Sequence, residues 1–178
     1  EWGIAMFGRA MGEKLLHLEV ATESITGNYL NTYGLRSLAK NCPKLQSLSV
    51  VGSSYKYDGT GIDRLGDEGV TALFDGCPDL RSLTLHHTKK LSLAAFEHLA
   101  DLLEATPPKS ALTTLCLYEI PCLSDGGGEA VTLRLRRLLG GGFRYSDAAK
   151  EQEERERAHA ERVKAREASR PASASKTE

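Results

Sequence analysis

Four cysteines and a pair of adjacent histidines are the side chains of this sequence with the most chemistry within reach. Cys42, Cys77, Cys116 and Cys122 are candidate nucleophiles, metal ligands or disulfide partners, and His86 and His87 are candidate proton carriers or ligands. Spacing removes most of these roles. There is no CxxC pair, Cys116 and Cys122 lack a second Cys or His pair at ligand distance, and neighbouring histidines in an extended segment face opposite ways. No metal site is expected. The cysteines are also too few and too irregular for a disulfide framework, and no Asn-x-Ser/Thr sequon occurs, so reduced thiols in an intracellular protein are the reading.

Catalytic patterns are equally absent from the sequence. It contains no GxxxxGK(S/T), GxSxG, HExxH or EF-hand loop, and Gly59-Thr60-Gly61 lacks the further glycine of a dinucleotide fingerprint. Neither an enzyme nor a cofactor is expected. The run His86-His87-Thr88-Lys89-Lys90 reads as a solvated basic loop. Across all 178 residues, 23 Lys plus Arg stand against 24 Asp plus Glu, a net charge of −1, which argues against binding driven by phosphate neutralisation. No apolar run approaches the roughly 20 residues that span a bilayer. Nucleic acid and membrane both drop out as expected partners. The first residue is Glu1 rather than Met, with no signal-like segment after it, so a processed chain or a piece of a longer one is expected.

The elements that must position any functional side chain are announced by an internal repeat. Leu15-x-x-Leu18-x-Val20, Leu45-x-x-Leu48-x-Val50, Leu80-x-x-Leu83-x-Leu85 and Leu112-x-x-Leu115-x-Leu117 share one pattern, their middle leucines 30, 35 and 32 residues apart. The flanks repeat as well. Asn41-Cys42-Pro43-Lys44-Leu45-Gln46-Ser47-Leu48 is answered by Gly76-Cys77-Pro78-Asp79-Leu80-Arg81-Ser82-Leu83, and Gly34-Leu35-x-x-Leu38 by Gly69-Val70-x-x-Leu73. Each unit reads as an amphipathic helix followed by a short strand with apolar residues at period two. Asp67, Ser92 and Asp125 are candidate N-caps, and Asn41 and Gly76 are residue types suited to a left-handed helix stop before proline. Cys42 and Cys77 fall at an inward, structural position. Neither element buries its apolar face alone, so such units must stack.

On these residues the chain resembles the leucine-rich repeat family, in particular its cysteine-containing subclass, C-x-x-L-x-x-L-x-L followed by a helix. That subclass includes F-box/leucine-rich-repeat substrate receptors and antagonist of mitotic exit network proteins. The resemblance covers roughly Gly12 to Leu139, with Gly12 and Lys109 in place of Cys in the first and fourth units. It implies an α/β fold, a curved right-handed leucine-rich-repeat solenoid of about four strand-helix units. It also implies protein binding, as a recognition or scaffold domain tied to ubiquitin-ligase substrate selection. No F-box signature lies in the sequence, so that role requires one supplied elsewhere. The alternative is a structural subunit of a large multiprotein assembly, with the charged extension contacting its neighbours.

The solenoid is expected over residues 1–143, with Glu1 to Met11 as the helix of a preceding unit and Glu129 to Leu139 as a closing helix. A charged helical extension is expected over 144–168 and a disordered tail over 169–178. From Asp147 to Glu178, 16 of 32 residues are charged, eight of each sign, leaving 15 positive and 16 negative charges elsewhere. Pairs such as Glu151–Arg155 favour a helix, whereas the lack of a leucine stripe argues against a coiled coil.

In such a stack the residues between the strand leucines point away from the core. They are His17, Glu19 and Ala21; Ser47, Ser49 and Val51; Ser82, Thr84 and His86; and Thr114, Cys116 and Tyr118. We expect a protein-binding groove floored by His17, Glu19, Ser47, Ser49, Ser82, Thr84, Thr114 and Cys116, with His86 and Tyr118 as rim anchors. A second candidate is the insertion after the second strand, where Tyr55, Lys56, Tyr57 and Asp58 give amphipathic contact area on a loop. The partner is a protein whose identity these residues do not specify.

Overall fold

A computed structural model describes residues 3–21, 31–51, 65–86, 88, 90–124 and 127–146. The chain divides into two units, Glu1–Ser146 and Asp147–Glu178; the second lies outside the described residues, as does the insertion with Tyr55, Lys56, Tyr57 and Asp58. Residues 147–168 of the helical extension expected over 144–168, the tail expected over 169–178 and the candidate cap Asp125 fall there too.

Among the described residues the fold is mixed α/β, with five parallel strands and six helices. In chain order these are α1 (Gly3–Met11), β1 (His17–Ala21), α2 (Thr32–Asn41), β2 (Ser47–Val51), α3 (Asp67–Gly76), β3 (Ser82–His86), α4 (Leu93–Glu104), β4 (Thr114–Tyr118), α5 (Pro121–Ser124), α6 (Gly128–Leu139) and β5 (Phe143–Ser146). The strands form a single sheet in the order β1-β2-β3-β4-β5, every neighbouring pair parallel. Each crossover carries a helix, as parallel pairing requires. Successive helices pack on one another in the same order, α1 on α2, α2 on α3, α3 on α4 and α4 on α6.

The leucines of the repeat explain this arrangement. Leu48 and Val50, Leu83 and Leu85, and Leu115 and Leu117 are all buried to within 1 % exposure, while their strand neighbours are only half-buried. One face of the sheet is therefore core and the other is open, because side chains alternate along a strand. The helices complete the core from the buried side: Leu35 and Leu38 of α2, Val70 and Leu73 of α3, and Phe96 and Leu99 of α4 join one continuous cluster running from Ile4 to Phe143. Full burial of each such side chain contributes about 1.5–3 kcal/mol.

Cys42 and Cys77 are buried where the repeat places them, and the structure gives each thiol a partner. The Cys42 Sγ donates to the Gly8 carbonyl at 3.4 Å, and the Cys77 Sγ to the Cys42 carbonyl at 3.4 Å. The thiols thus link each unit to the preceding one. The strand entries repeat as well: Leu16 O accepts from Gln46 N and Ser47 N, Gln46 O from Arg81 N and Ser82 N, and Arg81 O from Thr113 N and Thr114 N.

Three local expectations are corrected. Asp67 does not cap α3; the N-cap is Gly66, in extended conformation, and Asp67 is the first helical residue. Its carboxylate instead accepts from Ser92 N at 2.8 Å and Ser92 Oγ at 2.5 Å, tying α3 to the start of α4, while Ser92 itself caps α4 by accepting from Ala94 N. Asn41 and Gly76 are not left-handed stops, since both are the last helical residues and the following cysteines have φ of −122° and −121°. Gly76 is required for closeness: a Cβ there would lie 2.7 Å from the Ala39 carbonyl oxygen and 2.8 Å from the Ala39 Cβ. Finally, residues 144–146 belong to β5 rather than to a helical extension, which makes five strands where four units were expected. The chain enters β5 through Gly142, packed so closely on β4 that a Cβ would run into the Thr113 carbonyl.

Ion pairs staple the far end of the helical layer. Arg134 of α6 reaches Asp101 at 2.7 Å and Glu104 at 2.6 Å, and Arg137 reaches Glu104 at 2.7 Å. The Arg134 hydrogen bond and its neighbour Arg137 hold the Glu104 carboxyl below its ordinary range.

Candidate protein-binding face

Strand register converts the expected surface residues into columns that cross the sheet. His17, Ser47, Ser82 and Thr114 form one, each directly opposite the next. Glu19, Ser49, Thr84, Cys116 and Arg144 form a second, two residues further along the strands. A third contains His86, Tyr118 and Ser146 on the β5 side, with Val51 paired to Ala21 on the β1 side. All ten residues expected from the repeat therefore lie on the open face. His17 and Glu19 are exposed, and Ser47, Ser49, Ser82, Thr84, His86, Thr114, Cys116 and Tyr118 are half-buried among their neighbours.

The β-branch and hydroxyl types on this face have a local reason. Thr84 and Thr114 suit the pleated backbone, and the serines leave it low and polar so that it stays wetted beside the leucine core. In chemical terms the two inner columns offer a bed of small hydroxyls that can donate or accept. Their side boundary is aromatic. His86 and Tyr118, opposite each other on β3 and β4, stack with ring centroids 4.2 Å apart and planes inclined by 25°. This turns two expected anchors into one flat element at the edge of the hydroxyl bed.

Two residues of the face escape the sequence reading, Arg144 and Ser146. Arg144 is exposed and closes the second column at β5. The available signal was the alternation Phe143-x-Tyr145 after three glycines, with Phe143 buried and the Tyr145 hydroxyl 2.6 Å from Ser124 Oγ on the core side. It lacks the leucine triplet that marks the other strands.

Among the described residues no group of three His, Cys, Asp or Glu side chains stands ready to hold a metal ion, and no helix is long and apolar enough to cross a membrane. No disulfide joins any of the four cysteines. No protein-family model matches this chain, and no curated protein matches it. Among solved structures it aligns with the tropomodulin C-terminal domain from Caenorhabditis elegans at 16 % identity, over 94 % of this chain and 97 % of that one, with a TM-score of 0.46.

Proposed function

We propose that this chain is a leucine-rich-repeat domain, a solenoid of the cysteine-containing kind, that binds another protein on its open sheet face and carries out no chemistry there. The observation that carries this reading is the hydroxyl bed with the stacked His86–Tyr118 pair along its side. Low polar side chains beside a rigid aromatic element permit close approach and give an anchor for a partner's apolar group. The insertion with Tyr55, Lys56, Tyr57 and Asp58 follows β2 and would add contacts to the same partner. Within an intracellular setting, the cysteine pattern of the repeats supports substrate recognition linked to a ubiquitin ligase as the finer version.

The test is a pull-down with the full 178-residue chain, comparing wild type with Ser82→Arg, which places bulk and charge on the floor, and with Tyr118→Ala. Both substitutions should reduce recovery of the same partner about tenfold or more, the range of a hot-spot residue. Equal recovery by all three proteins, each folded by circular dichroism, would remove the sheet face from consideration.

A second reading, a structural subunit of a larger assembly, draws support from α1. Phe7 and Met11 stand five and one residues before Gly12, as Ser37 and Asn41 stand before Cys42. Ser37 lies on the flank of α2 that meets α1, its Oγ donating to the Ala5 carbonyl at 3.2 Å. The equivalent flank of α1 presents Phe7 at 42 % and Met11 at 37 % exposure, with Leu16 at 40 % nearby in sequence. Co-sedimentation with a large complex that survives Ser82→Arg but is lost with Phe7→Ser plus Met11→Ser would favour this reading over the first.

A further inference from the structure

The register fixes more than the position of the face; it fixes a direction and a polarity on it. The two hydroxyl columns run across the strands, side by side and two residues apart, so the low ground is a strip perpendicular to the strands. Two strand residues span about 6.6 Å, which accommodates an extended backbone. A helix, whose backbone N–H and C=O groups are bonded to one another, would leave the hydroxyls of the two columns without backbone partners, whereas an extended segment offers them. Along the second column the only formal charges are at its two ends, Glu19 on β1 and Arg144 on β5, both exposed. Neither has an ion-pair partner among the described residues. Ser49, Thr84 and Cys116 separate them. Four strand intervals of about 4.8 Å put the two charges roughly 19 Å apart, the length of about six extended residues.

Resting on the protein-binding reading above, we infer that the face takes an extended peptide segment lying across the strands, with a basic side chain at the Glu19 end and an acidic side chain or carboxylate at the Arg144 end, about six residues apart. The uncharged middle of the segment lies over the hydroxyls, where hydrogen bonds to the peptide's backbone and small polar groups replace those lost to water. The end charges contribute orientation more than affinity. Each is an exposed pair, worth a few-fold in binding at most and screened by salt. The reverse orientation would set like charges together at both ends and is disfavoured by the same margin at each.

The probe is a phage-displayed library of random 12-residue peptides, selected in parallel on the full chain and on the single reversal Glu19→Arg. Peptides selected on wild type should carry a Lys or Arg and an Asp or Glu about five to seven residues apart, and the reversed protein should instead enrich two acidic residues at that spacing. For a selected peptide, Glu19→Gln and Arg144→Gln should each weaken binding about two- to fivefold at low salt, with the difference shrinking at high salt. Both positions are exposed, so these variants fold as wild type does. If selected peptides lose binding with Ser82→Arg but ignore both charge changes and show no fixed spacing, the polarity is wrong while the binding face stands. If their binding is indifferent to Ser82→Arg, the binding face itself is wrong.

Discussion

The two buried thiols show what a single residue does in this fold. Burial raises the Cys42 thiol above its ordinary value, and burial together with the nearby Cys42 pushes the Cys77 thiol up to about 12. Both stay protonated at neutral pH and serve as hydrogen-bond donors to the preceding unit. Cys116 and Cys122 are only half-buried. Iodoacetamide at pH 7.5 should accordingly modify Cys116 and Cys122 in the native protein and leave Cys42 and Cys77 intact until denaturant is added, as read by mass spectrometry. The same shift sets a stability window. A thiol held above its unfolded value of 9.0 keeps its proton more tightly when folded, so its contribution is complete below pH 9 and is lost as the pH rises towards 12. The slope from one such proton is about 1.4 kcal/mol per pH unit. Cys77→Ala should flatten the alkaline fall of the melting temperature, and an unchanged slope would show that another group titrates there. The inward place of these cysteines was legible from the repeat because Cys42-Pro43 and Cys77-Pro78 recur in identical settings. Their carbonyl partners were not, since Gly8 and Cys42 lie 34 and 35 residues away.

At the level of elements, helix-to-helix approach is governed by small residues facing one another. Gly76 at the end of α3 rests on Ala39 of α2 so closely that an added methyl must displace the α2 backbone. Gly76→Ala should destabilise the protein by about 1–3 kcal/mol in urea unfolding despite alanine's better helix propensity. Adding Ala39→Gly should recover only part of this, because the contact with the Ala39 carbonyl remains; full recovery would mean that the methyl–methyl contact alone matters. The repeat allowed α2, α3 and their strands to be placed from sequence, with the apolar positions of each on the correct face. It misread how the helices begin and end. Asn41 and Gly76 are residues that favour a left-handed stop in isolation, but in the stacked layer the approach to Ala39 decides Gly76, and Asn41 turns its amide back onto the Ser37 carbonyl of its own helix. Asp67 similarly bonds across to Ser92 rather than capping its own helix.

For the molecule as a whole, a single core cluster extends from Ile4 in α1 to Phe143 in β5, so no unit has an interior of its own. The described unit should unfold in one transition, with far-ultraviolet circular dichroism and tyrosine fluorescence tracing coincident curves in urea. Phe143→Ala, at the terminal strand, should cost about 3–5 kcal/mol and leave that transition single. Separation of the two signals would instead show the stack opening from the β5 end. The arrangement of charge also belongs to this scale. The overall balance of 23 basic and 24 acidic residues suggested no directing field, yet register isolates one acidic and one basic side chain at opposite ends of a neutral column.

What the sequence determined by itself was the unit: a helix, then a strand whose alternate residues are leucine or valine, with a buried thiol between them in two of the units. Those features are local, since periodicity over a few residues dictates which side of a helix or strand is apolar. The ten residues of the open face followed directly from that alternation. Tertiary structure alone decided which of them meet. The stacking of His86 on Tyr118, the recruitment of β5 without a leucine triplet, and the alignment of Glu19 with Arg144 all depend on lateral register between strands. That register is set by how whole helices pack on their neighbours, and no short stretch of sequence encodes the distance between parts of the chain separated by 125 residues.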